Sequence, residues 1–458
     1  MKPKKSTCRD PQASMFKVEL ATLVDMRHPL VQLAGKINWN WFDDELKCCF
    51  CDSNGAPAKP TRLMVGLHYL KHIYNLSDEQ TVSRWIENPY WQYFCGMKYF
   101  EYAPPIDPSL MTRWRKMLGD EKMEKLLEES IATGFRTETV DRRSLENVNV
   151  DTTVQEKAVA FPTDARLYYQ MLGKLTKKAK SLGIELRQSY QRVAKIALVQ
   201  SSRYFHARQA KRARREVKRL KTMLGRVTRD IERKVSGDSS VQESFTQLLA
   251  ISNRLLSQKR EDAKKLYSLH APEVECISKG KVHKKYEFGN KAAIVTSSRE
   301  GFVFGAQGLH GNPYDGHTLS GSIAQASRLC GGKTFGRAFV DRGYRGHDYK
   351  GTTEVHICGP GTVSKRLPRS LRRWRKRRSA IEPMIGHMKN DGRLGRNYLL
   401  GKDGDRMNVV LCAAGHNLRL ILARLASIPD RLFFLLSYLV AFSRQIFSAT
   451  TRRAALGA

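Results

Sequence analysis

Asn147-Val-Asn-Val-Asp-Thr-Thr153 alternates polar and apolar side chains with a period of two, the pattern of a strand that presents different chemistry on its two faces. It carries an acid, Asp151, toward its C-terminal end, where open α/β sheets gather their ligands. Lys157–Phe161 reads as a second strand, stopped by Pro162.

Downstream the period becomes helical from about Asp164 to Leu269. Leu220, Leu224, Val227 and Ile231 form a four-three-four seam that packs against a partner helix. Ser236-Gly-Asp-Ser-Ser240 breaks it, and Phe245, Leu248, Leu249, Leu255 and Leu256 line the apolar side of a second helix. The spacing predicts a helical hairpin inserted over 164–270. Strand signals return at Tyr286–Phe288, Ala292–Thr296 and Phe302–Ala306. Asn312-Pro-Tyr-Asp-Gly316 makes a turn, and Ser320–Cys330 reads as a helix. Arg337-Ala-Phe-Val-Asp341 is a short apolar strand ending on a second acid, and Val355–Cys358 is another strand. Helices follow at Ser379–Asn390 and Arg406–Leu425. Strands and helices around a large helical insert indicate an α/β domain over 140–430, with a C-terminal helix and tail over 431–458.

Upstream, 1–14 is polar and reads as a flexible N-terminus, and 15–135 reads as helical. Leu63, Val65, Leu67, Leu70 and Ile73 bury one side of a helix, and Ser77 with Gln80 forms a capping box for the next. Asp107-Pro-Ser109 opens a third helix that bears Arg113, Trp114 and Arg115. Short helices joined by tight turns suggest a DNA-binding helix-turn-helix; a small helical bundle with an Arg-bearing surface is the alternative.

The charge narrows the partner. Eighty Lys and Arg against forty-four acids give +36 over 458 residues, a surface for polyanions. Residues 174–234 alone hold a net +16, and 365–378 holds nine basic side chains and no acid. At 41% hydrophobic content, wholesale disorder is excluded. Nine scattered cysteines fit no disulfide framework and point to a reducing compartment; Cys48, Cys49 and Cys51 lack a second pair at zinc-site spacing. No signal peptide is expected, and the apolar run Leu432–Phe442 falls short of the roughly 20 residues of a membrane span.

A third acid, Glu382, lies in Ser379-Ala-Ile-Glu-Pro-Met-Ile-Gly-His-Met-Lys389 at a helix start. Two strand-end acids and a helical one are the equipment of a two-metal phosphodiester site, because carboxylate oxygens suit hard Mg²⁺. Each acid has a plainer reading: Asp151 and Asp341 as turn caps, Glu382 as the N3 acid of a capping box on Ser379. Asp315 sits in its turn as a structural residue, and His387, on a different helical face from Glu382, has no assigned role.

Asp151-Thr-Thr-Val-Gln-Glu-Lys-Ala158, His310-Gly-Asn-Pro-Tyr-Asp-Gly-His-Thr-Leu319 and Val340-Asp-Arg-Gly-Tyr-Arg-Gly346 resemble the bacterial insertion-sequence transposases of the DDE type. The resemblance is to the family of insertion sequence five, within the insertion-sequence-four-like superfamily. That family carries its third acid in a Tyr-x2-Arg-x3-Glu-x6-Lys signature. Arg378, Glu382 and Lys389 match the spacing, while Arg375 stands at the Tyr position with Trp374 beside it. Leu76–Trp85 and Tyr90–Gly96 resemble the family's N-terminal helical domain.

The resemblance implies an RNase H-like catalytic domain. It makes Asp151, Asp341 and Glu382 the catalytic residues and the ligands of two divalent cations, Mg²⁺ with Mn²⁺ as a substitute. Water attack at each transposon end would free a 3′-OH, which then attacks target DNA. The implied partners are double-stranded DNA, as terminal inverted repeats and target, and a second copy in a homodimer. The implied location is the bacterial cytoplasm, with no membrane. Arg378 and Lys389 are then phosphate contacts. Arg212, Arg214, Arg215, Lys218 and Arg219 of the insert, with Arg113 and Arg115, are the further DNA contacts expected. Two rival readings are a DNA-binding protein without catalysis, which the intact acid set argues against, and a nuclease of the same fold without strand transfer.

Overall fold

The computed structural model describes residues 2, 17–51, 57–259, 261–262, 264–278, 285–359 and 367–427. The expectations for 1–14 (Lys2 apart) and for 431–458 lie outside them. Among the described residues seven α-helices come first: α1 (Leu20–Leu23), α2 (Pro29–Lys36), α3 (Trp39–Leu46), α4 (Thr61–Ile73), α5 (Asp78–Glu87), α6 (Pro89–Phe94) and α7 (Ser109–Arg136). The capping box at the start of α5 is present, with the Ser77 hydroxyl accepting from Gln80 N and the Gln80 side chain accepting from Ser77 N. Gly119, at φ +73°, kinks α7, a conformation that favours glycine.

The opening strand, β1 (Asn147–Glu156), runs three residues further than its sequence pattern indicated. The second strand expected at Lys157–Phe161 is absent. Lys157 N donates to Phe288 O and Ala158 N to Asn397 O in an isolated bridge, and the chain then leaves the sheet. Four helices follow, α8 (Asp164–Ser181), α9 (Gln191–His206), α10 (Ala210–Val235) and α11 (Ser239–Ser257). The insert is therefore a four-helix unit rather than a hairpin. Its seam residues Leu220, Leu224, Val227 and Ile231 are buried in a core of their own, shared with Leu172 and Leu175 of α8 and Ala194 and Ala197 of α9.

The remaining strands are β2 (Glu275–Ile277), β3 (Glu287–Ser297), β4 (Val303–Leu309), β5 (Arg337–Val340) and β6 (Glu354–Ile357). β3 is continuous where the sequence suggested two strands. A Cβ on Gly289 would lie 1.9 Å from the Gln155 carbonyl oxygen, so the glycine permits a close backbone approach instead of a break. β1 is central, antiparallel to β3 on one side and parallel to β5 on the other, with β6 parallel beyond β5. β4 and the short β2 pair antiparallel with the far edge of β3. Apart from β2, the strands run third, second, first, fourth, fifth across the sheet, a mixed order consistent with an RNase H-like domain.

Helices α12 (Asp315–Leu329), α13 (Arg369–Arg377), α14 (Ile381–Asp391) and α15 (Gly401–Ser427) complete the fold. By length and composition α15 could cross a membrane, but 67% of its apolar window is buried inside the protein. Its Asn417 amide donates to the Val303 carbonyl and accepts from the Val303 amide, pinning the helix to β4. Gly134 lets α7 lie against Phe302: a Cβ there would meet the ring at 2.4 Å. One apolar core thus runs without interruption from Leu30 of the helical region through the sheet to Leu425. The N-terminal helices share that core with the sheet and do not pack as a separate unit.

Candidate active site

Parallel pairing sets Asn147 opposite Arg337 and Asn149 opposite Phe339. The same offset in sequence separates Asp151 from Asp341, so two further steps bring the acids out side by side. Neighbouring strands lie roughly 4.8 Å apart, and the two-residue period keeps both acids on the face of Asn149 and Phe339. Their carboxylates are oriented locally: Asp151 Oδ1 accepts from Thr152 N at 2.8 Å, and Asp341 Oδ1 accepts from Gly343 N at 2.8 Å.

Arg378, in the single turn between α13 and α14, reaches all three acids. Its Nη2 lies 2.8 Å from Asp151 Oδ2 and 3.6 Å from Asp341 Oδ2, and its Nη1 lies 3.1 Å from Glu382 Oε1. The Asp151 and Asp341 oxygens are thus no further apart than the sum of the first two distances. Glu382 stands in the first turn of α14, where the helix dipole favours an acid, with its side chain 65% exposed. The capping-box reading fails: α14 has no side-chain cap, and the Ser379 hydroxyl donates to Lys376 O.

A fourth acid stands beside them. Asp315, at the start of α12, accepts from Thr152 Oγ1 at 2.8 Å and from Lys291 Nζ at 2.9 Å. A Cβ on Gly343 would lie 3.0 Å from Asp341 Oδ1 and 3.1 Å from Asp315 Oδ2, so that glycine fills the narrow gap between the two carboxylates. Asp315 is therefore not merely a turn residue, and Lys291 belongs to the same cluster. The Tyr344 phenol lies near it too; burial, with Asp151 and Asp315 close by, pushes its pKa far above the usual range. Its place within Val340–Gly346 was the only sequence signal for Tyr344, and Lys291 had none.

Among the described residues, no group of three or more His, Cys, Asp or Glu side chains is arranged to hold a metal ion. At the acid cluster the Arg378 guanidinium supplies the positive charge instead. The donor set nonetheless fits hard divalent cations: three carboxylates converge on Arg378, whose charge also reaches the Cys358 thiol. Cys48, Cys49 and Cys51 are free thiols, and exposed His387 pairs with Asp391 at 2.9 Å.

The remaining expected contacts divide. Lys389 is half-buried on α14, two turns beyond Glu382 on the same face. Arg212, Arg214, Arg215, Lys218 and Arg219 are all exposed on α10, and Arg113 is exposed on α7. Arg115 departs from expectation. It is 3% exposed and forms a two-pronged ion pair with Asp78, at 3.0 and 2.6 Å, so it ties α7 to α5 rather than facing a phosphate.

Residues 18–117 match the family described as Transposase domain (DUF772). Residues 363–422, which include Arg378, Glu382 and Lys389, match the family described as Transposase DDE domain. A curated relative from Rhizobium meliloti, described as an uncharacterized protein ORF8 in nfe locus, is 53% identical over 195 residues, 43% of this chain and 94% of that protein. The chain belongs to the DDE transposases. No solved structure matches this transposase. The two matched regions lie at opposite ends of the chain, and the insert with its basic α10 falls between them.

Proposed function

We propose that this transposase, of the insertion-sequence-five type, cuts DNA at the terminal inverted repeats of its element and joins the freed 3′-OH ends to target DNA. The observation that carries this reading is the convergence of Asp151, Asp341 and Glu382 on Arg378. The three carboxylates would hold two divalent cations, Mg²⁺ or Mn²⁺, which supply activation of the attacking oxygen and charge stabilisation at the leaving one. The chain's own part is positioning. Arg378, displaced from the acids, offers a planar fork to phosphate oxygens, and Lys389 places a second cation two turns along the same helix. The exposed arginines and lysines of α10 hold flanking duplex, making the insert over 164–270 an arm for DNA. The working form is a homodimer that brings two DNA ends together in the bacterial cytoplasm.

The test is cleavage of a duplex carrying the element's own ends. Cleavage should require Mg²⁺ or Mn²⁺ and vanish in Asp151→Ala, Asp341→Ala and Glu382→Gln, while each variant still binds the duplex. Full cleavage by Glu382→Gln removes the third acid from the site.

A further inference from the structure

A cleft of about 1250 Å³ separates the helical bundle from the segment that joins α14 to α15. One wall comes from the α4–α5 connection and α7, with Asn75, Ser77 and Lys116; the other carries Lys389, Arg393, Arg396 and Tyr398. Lys389 puts one end of the cleft two helical turns from Glu382, roughly 10 Å at 1.5 Å per residue. The cleft is continuous with the helix that carries the third acid, but none of its lining residues is one of the acids.

The chemistry of the second wall is specific. Tyr398 is 57% exposed, and Leu400 beside it is 66% exposed. Two guanidiniums lie over the tyrosine ring, Arg393 at 5.2 Å and Arg396 at 5.6 Å from its centroid. Arg393 has a φ of +66°, a left-handed conformation that favours glycine, immediately after Gly392. Leu394 N and Gly395 N donate to Met388 O and Lys389 O, closing the end of α14 around that conformation. Arg393 also reaches the opposite wall, its Nη1 donating to Asn75 O at 3.4 Å. A left-handed residue is a common way to close a helix, and here it leaves the Arg393 side chain lining the cleft. Of the three acids that line the cleft, Asp78 is neutralised by Lys71 and Arg115, Asp403 lies 3.7 Å from Arg406, and Glu79 is exposed.

Bare cations would suffice for the backbone of a duplex, whose bases are stacked away. An exposed aromatic ring and a leucine set among arginines suit a strand whose bases are free to stack, with its phosphates on the guanidiniums. We propose that this cleft binds unpaired, single-stranded DNA, with phosphates on Arg393 and Arg396 and a base stacked on Tyr398. The assignment rests on the proposed DNA-cutting function only in identifying that strand as the one leading away from the cut.

Binding of the full-length protein to a fluorescent oligothymidine and to a blunt duplex, compared by anisotropy in EDTA, tests this. Tyr398→Ala should weaken oligothymidine binding about tenfold, and Tyr398→Phe, which keeps a stacking face, should restore it, with duplex binding changed less than about twofold. Arg396→Gln should weaken oligothymidine binding as well, and a melting curve like wild type's excludes loss of fold. Absence of oligothymidine binding in wild type overturns the proposal. So does an equal loss on both probes, or Tyr398→Phe behaving like Tyr398→Ala. Because the metal is chelated, failure of the three-acid reading would appear as cleavage that survives the acid substitutions and would leave this contrast untouched.

Discussion

Arg378 Nη2 lies 2.8 Å from Asp151 Oδ2, and the same guanidinium touches Asp341 and Glu382, so one side chain neutralises much of a three-acid cluster. Asp151 and Arg378 are each only 14% exposed at the side chain, so their contact is worth more than a surface pair. Removing the arginine leaves carboxylates crowded without a counter-charge. Arg378→Gln should lower the metal-free melting temperature by several degrees, at about 2–4 °C per kcal/mol for a large domain. Added Mg²⁺ should recover more of that loss in the variant than it adds to wild type, because it supplies the missing charge. Equal Mg²⁺ shifts in both proteins would mean that the acids do not share a cation site.

Gly343 separates Asp341 from Asp315 with no room to spare. In Gly343→Ala the new methyl must push one carboxylate aside, and Asp341 loses its aim on the site. Misplaced outer contacts at metal sites typically lower activity about 10–100-fold, and that range is expected for DNA cleavage here. Asp315→Asn should fall in the same range, because it weakens the Lys291 ion pair beside Thr152. Cleavage at the wild-type rate in both variants would return Asp315 to a turn residue.

Acid should unfold this protein through three histidines. Burial lowers His68 to about 3, helped by neighbouring Arg115, and lowers His416 to about 4, helped by Arg419. Burial, with Lys71 nearby, also holds His72 well below its usual range. All three folded values lie below the unfolded one, so below pH about 6.5 the unfolded chain takes up protons that the folded chain refuses. Stability is therefore complete above that pH and is lost as pH falls toward 4. At pH 5 the loss is about 2 kcal/mol for each of His68 and His416, and His72 adds to it in the same direction. At Asp78, burial alone would raise the pKa, but Arg115 and Lys71 overcome it and hold the acid low. Its contribution disappears only below pH about 4. Urea midpoints at pH 7.5 and 5 measure the drop, and His68→Asn should remove about 2 kcal/mol of it.

The strand-borne acids were legible because alternation and strand termination act locally, on residues within a few positions of Asp151 and Asp341. Their convergence depended on a register between distant strands, which the motif resemblance implied but periodicity could not supply. Lys157–Phe161 looked like a strand because its apolar run is locally correct; what it lacked was a partner edge, a property of the whole sheet. Arg115 is buried although its near neighbour Arg113 is exposed. It lies four residues from Met111 and next to Trp114, both buried, and that apolar stripe marked the inward face. The insert's leucine seam was legible, but α8 and α9 hid behind their lysines and arginines, so four helices read as two. Tyr398 and Arg393 had no periodic signal, since a wall built from a connecting segment follows neither period.

The basic insert gives a separate, quantitative expectation. Arg212, Arg214, Arg215, Lys218 and Arg219 are exposed on α10, while Ala213 and Leu220 of the same helix are buried. Neutralising the five should therefore leave the insert's core intact. Among the described residues, Arg219 alone of the five has an acid within reach, Glu216 at 3.5 Å, so little ion pairing is lost. If each arginine or lysine neutralises a phosphate, the plot of log affinity against log salt should flatten by up to about 4.5 units, at roughly 0.9 per phosphate. Sequence should matter little, because phosphate contacts carry no base information, so duplexes with and without the element's ends should weaken alike. A five-fold glutamine variant with an unchanged salt slope and native circular dichroism would make this face of α10 ordinary solvated charge. A loss confined to the element's ends would instead place base-reading contacts on the insert.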